Sequence, residues 1–80
     1  MPEPASGVTL ANFTRIREGM SYEEVVLILG SRGELITSSD VAGIKTVFYH
    51  WEGEGGSVGA SLNAMFQNGR LIAKAQLGLE

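Results

Sequence analysis

Ala60-Ser61-Leu62-Asn63-Ala64-Met65-Phe66-Gln67-Asn68-Gly69-Arg70-Leu71-Ile72-Ala73-Lys74-Ala75-Gln76-Leu77 is the stretch that decides the fold. At its centre, Asn68-Gly69 suits the positive φ that a type I′ turn needs at both central residues. Residues 60–66 and 71–77 therefore read as two strands of a hairpin. A two-residue loop sets Gln67 opposite Arg70, then Phe66 opposite Leu71, Ala64 opposite Ala73, Leu62 opposite Ala75 and Ala60 opposite Leu77. Every residue after the first pair is apolar and falls on one face. The other face carries Met65 with Ile72, Asn63 with Lys74, and Ser61 with Gln76. One face is core and the other wet. The alanines lower the core face and leave room for a helix to lie close.

Upstream, the sequence supplies that helical layer. Leu10, Phe13 and Ile16 recur at helical spacing behind Thr9, a suitable N-cap, and Gly19 stands where a helix would end. Ser21 and Glu24 form a capping box. Met20 and Val25 have the spacing of a hydrophobic staple, Val25, Ile28 and Leu29 make the apolar stripe, and Gly30 stops it. Two helices joined through Gly19-Met20 must fold back or cross. From Gly33 the period changes to that of strands. Residues 34–38 form a first, weaker strand, and residues 44–51 a second, rich in β-branched and aromatic side chains.

The whole reads as an α+β domain, a helix-loop-helix packed on one face of a four-stranded antiparallel meander in the order α-α-β-β-β-β. Residues 1–7 are a loosely ordered Pro/Gly/Ser tail, and residues 8–80 one domain.

The phrase Ile16-x-x-Gly19-Met20-Ser21-Tyr22-Glu23-Glu24-Val25-x-x-Ile28-Leu29-Gly30 resembles the opening repeat of the β-lactamase inhibitory protein family. It is also similar to the SmpA/OmlA/BamE envelope lipoproteins and to small bacterial β-lactamase inhibitor-like domains. Tyr49-x-Trp51, Phe66-Gln67-Asn68-Gly69-Arg70-Leu71 and Lys74-x-Gln76-x-Gly78-Leu79 fit the last group. The resemblance spans residues 9–79 and implies the architecture already read from the residues. It further implies a protein-binding role, since members of the family carry two such units and clamp an enzyme across both concave sheets. This chain has one unit and no cysteine pair.

With 80 residues there is room for one small core and little reserve of stability. No cysteine is present, so disulfides, thiolate metal sites and cysteine nucleophiles are excluded. Six basic residues against nine acidic give a net charge of −3, the wrong footprint for nucleic acid. No apolar run is long enough to span a membrane. The start, Met-Pro-Glu-Pro-Ala-Ser-Gly, lacks the apolar stretch of a signal peptide, so the protein stays inside the cell or belongs to the envelope or the exterior with its leader trimmed.

No catalytic constellation emerges. The one histidine, His50, lies in a strand and the one aspartate, Asp40, in a turn, which rules out a Ser-His-Asp arrangement. Glu52 and Glu54 follow His50 at a strand end and in a loop, a poor geometry for a metal or a proton relay. The loop over residues 53–59 has Gly53, Gly55, Gly56 and Gly59 but joins strand to strand beside acids, so it is a mobile connector and no phosphate cradle. The sequon Asn12-Phe13-Thr14 falls in a helix and reads as chance. The chain is expected to be no enzyme and to use no cofactor.

What remains is the aromatic run Phe48-Tyr49-His50-Trp51. Alternation gives Val47, Tyr49 and Trp51 to the helix side, and Thr46, Phe48 and His50 to the open face beside Met65 and Ile72. An open sheet showing Phe48, His50, Met65, Ile72 and Lys74 among polar residues has the make-up of a protein-binding patch. Inverting the strand would present Tyr49 and Trp51 instead. The expected function is protein recognition through this face, in the cell envelope. The alternatives are a homodimer joined through sheets or edge strands, or a β-lactamase inhibitor-like protein.

Overall fold

The computed structural model describes residues 6–53 and 59–79. Helix α1 (Leu10–Arg15) and helix α2 (Tyr22–Leu29) precede four strands, β1 (Glu34–Val41), β2 (Ile44–Glu52), β3 (Ser61–Gln67) and β4 (Arg70–Leu77). The strands form one antiparallel sheet in the order β1-β2-β3-β4, and the helices lie on one side of it. The expected α-α-β-β-β-β architecture is the observed one. The glycine-rich segment 54–58, read from sequence as a mobile loop, lies outside the described residues, as do residues 1–5.

Local chemistry sets the helix starts. Thr9 Oγ1 accepts the Asn12 N–H at 3.2 Å. Ser21 Oγ accepts the Glu24 N–H at 3.2 Å, while Glu24 reaches back to the Ser21 N–H, so the capping box is complete. Gly30 then ends α2 in the left-handed conformation. Asn12 is buried, its Nδ2 donating to Gly7 O at 2.9 Å, so the amide that a sequon would modify is committed to the fold.

The core is a wedge between the helices and the centre of the sheet: Ile16, Val25 and Leu29 from the helical half, Trp51, Leu62, Ala64, Phe66 and Leu71 from the strands, closed by Val8, Ala60 and Leu79. At the hairpin tip Asn68 and Gly69 have φ of 50° and 81°, the pair of left-handed residues that the turn demands. Asn68 also ties its neighbour: its N–H donates to Lys45 O and its Oδ1 accepts the Lys45 N–H. A Cβ on Gly69 would meet nothing within 4 Å, so the left-handed backbone, not crowding of the Cβ, sets the cost of a substitution there. Gly69→Val is therefore expected to cost about 1–2 kcal/mol and lower the melting temperature by about 4–8 °C per kcal/mol. A variant melting with the wild type would show that the turn is of another type.

Three local expectations are corrected. Helix α1 stops at Arg15, not at Gly19, because Ile16 turns extended into the core and the following segment pairs with the sheet. Gly19 N–H donates to Leu71 O at 2.9 Å, Leu71 N–H donates to Met20 O at 2.8 Å, and Ser21 bridges Arg70. Strand β1 runs on through Asp40 to Val41, so Asp40 lies opposite Lys45 in the sheet and the turn falls at Ala42-Gly43. All eight residues of β1 are exposed, which is why its polar middle gave no alternating signal.

The third correction concerns register. Phe66 faces Leu71 as expected, but Met65 then faces Ala73, and β4 carries a bulge at Ile72. One extra residue reverses the faces of everything beyond it. Ala73, Ala75 and Leu77, expected in the core, stand opposite Met65, Asn63 and Ser61 on the open face, while Lys74 and Gln76 turn to the helix side. The change is stabilised there. Lys74 Nζ donates to Phe13 O at 2.6 Å, satisfying a carbonyl near the end of α1, and sits 4.2 Å from the Phe13 ring centroid.

Candidate functional site

Among the described residues, the sheet has one covered face and one bare one. On the bare side, cross-strand pairs set Thr37 beside Phe48, Phe48 beside Met65, and Met65 beside Ala73. Phe48 and Met65 are half-buried and, with Asn63, Ala73, Lys74 and Ala75, line a shallow hollow. The next row runs Glu34, His50, Asn63, Ala75. His50 Nδ1 lies 2.9 Å from Asn63 Oδ1; an amide oxygen only accepts, so Nδ1 is the donor. The third row, Glu52, Ser61, Leu77, ends on a leucine at 69% exposure. An aromatic and a thioether shelf bordered by hydrogen-bonding groups and the carboxylates of Glu34 and Glu52 can seat an apolar side chain and fix its orientation. It offers no activated nucleophile.

The residues expected at this site divide. Phe48, His50 and Met65 come together on the open face. Ile72 is half-buried in the bulge, is paired with no residue of β3 and does not line the hollow. Lys74 touches the hollow between Ala73 and Ala75, but its ammonium is turned away and held by Phe13 O. Burial pushes the Lys74 ammonium below its ordinary value, with Arg17 adding to the effect. Tyr49 and Trp51, the substitutes for an inverted strand, are on the helix side. Trp51 is buried and its Nε1 donates to Ser31 O at 2.9 Å. Tyr49 stacks on Tyr22 with ring centroids 4.5 Å apart. Burial raises the Tyr22 hydroxyl above its ordinary value, with Tyr49 contributing, and that hydroxyl donates to Arg32 O at 2.6 Å.

Sequence reasoning missed Ala73, Ala75 and Leu77 as open-face residues. No signal in β4 itself could have placed them, since Leu71, Ala73, Ala75 and Leu77 alternate like an unbroken core strand. Among the described residues, no three histidine, cysteine or acidic side chains gather as metal ligands, and no helix is long and apolar enough to cross a membrane.

A search of curated proteins returns no match to the chain. The family model described as "Beta-lactamase inhibitor (BLIP)" matches residues 9–80, nearly the whole sequence, and the chain belongs to that family.

Proposed function

We propose that the domain is a non-enzymatic, inhibitor-type module that binds a protein through the open face of its sheet. The observation that carries this reading is the Phe48–Met65–Ala73 shelf, left bare by the described residues at the centre of a sheet whose other side is covered by helices. Phe48 and Met65 are the anchors. His50 with Asn63 supplies the polar border, and Ile72 and Leu77 extend the apolar area. Lys74, Tyr49 and Trp51 serve the fold. The family name points to a β-lactamase as the first partner class to test. A β-lactamase works in the envelope or outside the cell, so the same compartment is proposed for this chain.

The test is a titration of the chain into a panel of β-lactamases, read by hydrolysis of a chromogenic cephalosporin and by direct binding. Truncating a buried anchor of such an interface costs about 2 kcal/mol or more. Phe48→Ala with Met65→Ala is therefore expected to weaken binding about 100-fold or more while the domain stays folded. Binding that survives the double substitution would move the site off this face, and a wild-type chain that binds no β-lactamase would remove that partner class.

A further inference from the structure

The sheet ends in two edges that are treated differently. The start of β4 is covered by the linker between the helices, through Gly19, Met20 and Ser21. Strand β1 has nothing beside it among the described residues and is exposed throughout. The exposed apolar side chains gather there as well. Leu35, Ile36 and Val41 of β1 and Ile44, directly across from Val41, are four of the seven large ones the described residues display. Natural edges are guarded by lysine, proline, inward charge or a bulge. Here the guards, Glu34 and the bulge between Leu35 and Thr37, protect only the first part of the strand. The regular part, Thr37-Ser38-Ser39-Asp40-Val41, has no lysine, arginine or proline.

We propose that this segment is the seam of a symmetric dimer. A second copy pairs with it antiparallel about a dyad at Ser39 and extends the sheet from four strands to eight. The register follows from the pleat. Opposed residues of an antiparallel pair share a face. Thr37, Ser39 and Val41 stand opposite Phe48, Thr46 and Ile44 and so belong to the open face, while Ser38 and Asp40 stand opposite Val47 and Lys45 on the helix side. A dyad at Ser39 matches faces over the whole regular segment: Thr37 meets Val41 of the other copy, and Ser38 meets its Asp40. A dyad at Ser38 sets Asp40 against Ile36 in the bulge, and one at Thr37 sets Ser39 against Leu35 of the wrong face.

Charge agrees with this choice. Glu34 and Asp40 never face each other, and each Asp40 finds a serine hydroxyl. The apolar rows agree too. Ala73–Met65–Phe48–Thr37 of one copy runs straight into Val41–Ile44 of the other, covering two side chains that the single chain leaves at 68% and 45% exposure. A seam five residues long is small as interfaces go, so the dimer is weak and concentration-dependent.

The absence of cysteine makes the test direct. Cα atoms across a non-hydrogen-bonded antiparallel pair lie about 4.5 Å apart, within disulfide reach. Ser39→Cys should form an intermolecular disulfide under a mild glutathione buffer, whereas Ser61→Cys, on the open face of β3, should not. In sedimentation equilibrium the wild type should associate at about 10–500 µM, and Val41→Lys should weaken association about tenfold or more with an unchanged melting temperature. The Phe48→Ala, Met65→Ala variant keeps the Ser39→Cys cross-link, so the dimer and the partner site fail or stand separately. A wild type that stays monomeric to about 1 mM overturns the proposal. So does cross-linking of Ser61→Cys as fast as Ser39→Cys, or a β1 edge that takes only extended peptides of other proteins.

Discussion

Gly33→Ala is expected to destabilise the domain by about 2–5 kcal/mol, more than its size suggests. Gly33 joins α2 to the sheet with φ of 71°, and a Cβ there would fall 2.6 Å from Trp51 Cε2 and 2.8 Å from Cδ2. Left-handed backbone costs a residue with a side chain about 1–2 kcal/mol, and forcing an atom into a packed core adds about 1–3 kcal/mol. The indole cannot swing aside freely, because its Nε1 is held by Ser31 O and the ring is buried. The two contributions separate in a double-mutant cycle. Trp51→Ala alone should cost about 3–5 kcal/mol, and in that background Gly33→Ala should retain only its backbone share. Denaturant titration of the four proteins measures this directly. Costs that simply add would mean that the chain at Gly33 does not lie against Trp51.

Features legible in the sequence are those whose physics is local. Asn68-Gly69 announces its turn because few dipeptides tolerate two left-handed residues, and Ser21 with Glu24 announces a helix start because each satisfies a donor within one turn. Phe48, His50 and Met65 share the open face, as alternation predicts, because β2 alternates with strong contrast and β3 pairs with it in simple register. The failures are tertiary. Nothing within residues 70–77 shows that Gly19, Met20 and Ser21 will hydrogen-bond to its first residues, nor that a bulge at Ile72 will follow. An unbroken register would have left Phe13 O without the Lys74 ammonium and hidden Ala73 and Ala75 under the helices. Strand β1 was read too short for a different reason: an edge with two wet faces has no apolar period to detect.

The sharpest contrast the fold makes is between two phenylalanines on neighbouring strands. Phe66 lies opposite Val47 on the helix side, 2% exposed, edge-on to Tyr22 and Tyr49 at centroid distances of 5.6 and 5.9 Å. Phe48, one position along β2 from Val47, points to the bare side beside Met65. Phe66→Ala removes a full core ring together with its edge-to-face partners, and should cost about 3–5 kcal/mol. For a domain of this size that is a large share of the whole, which runs to about 0.05–0.15 kcal/mol per residue. The variant should be substantially unfolded by far-UV circular dichroism at 37 °C. Phe48→Ala uncovers a surface that water already reaches, so it should cost about 1 kcal/mol or less and spend its effect on binding. Equal destabilisation by the two changes would mean that the second face of the sheet is buried in solution, and the proposed binding surface would then already be occupied.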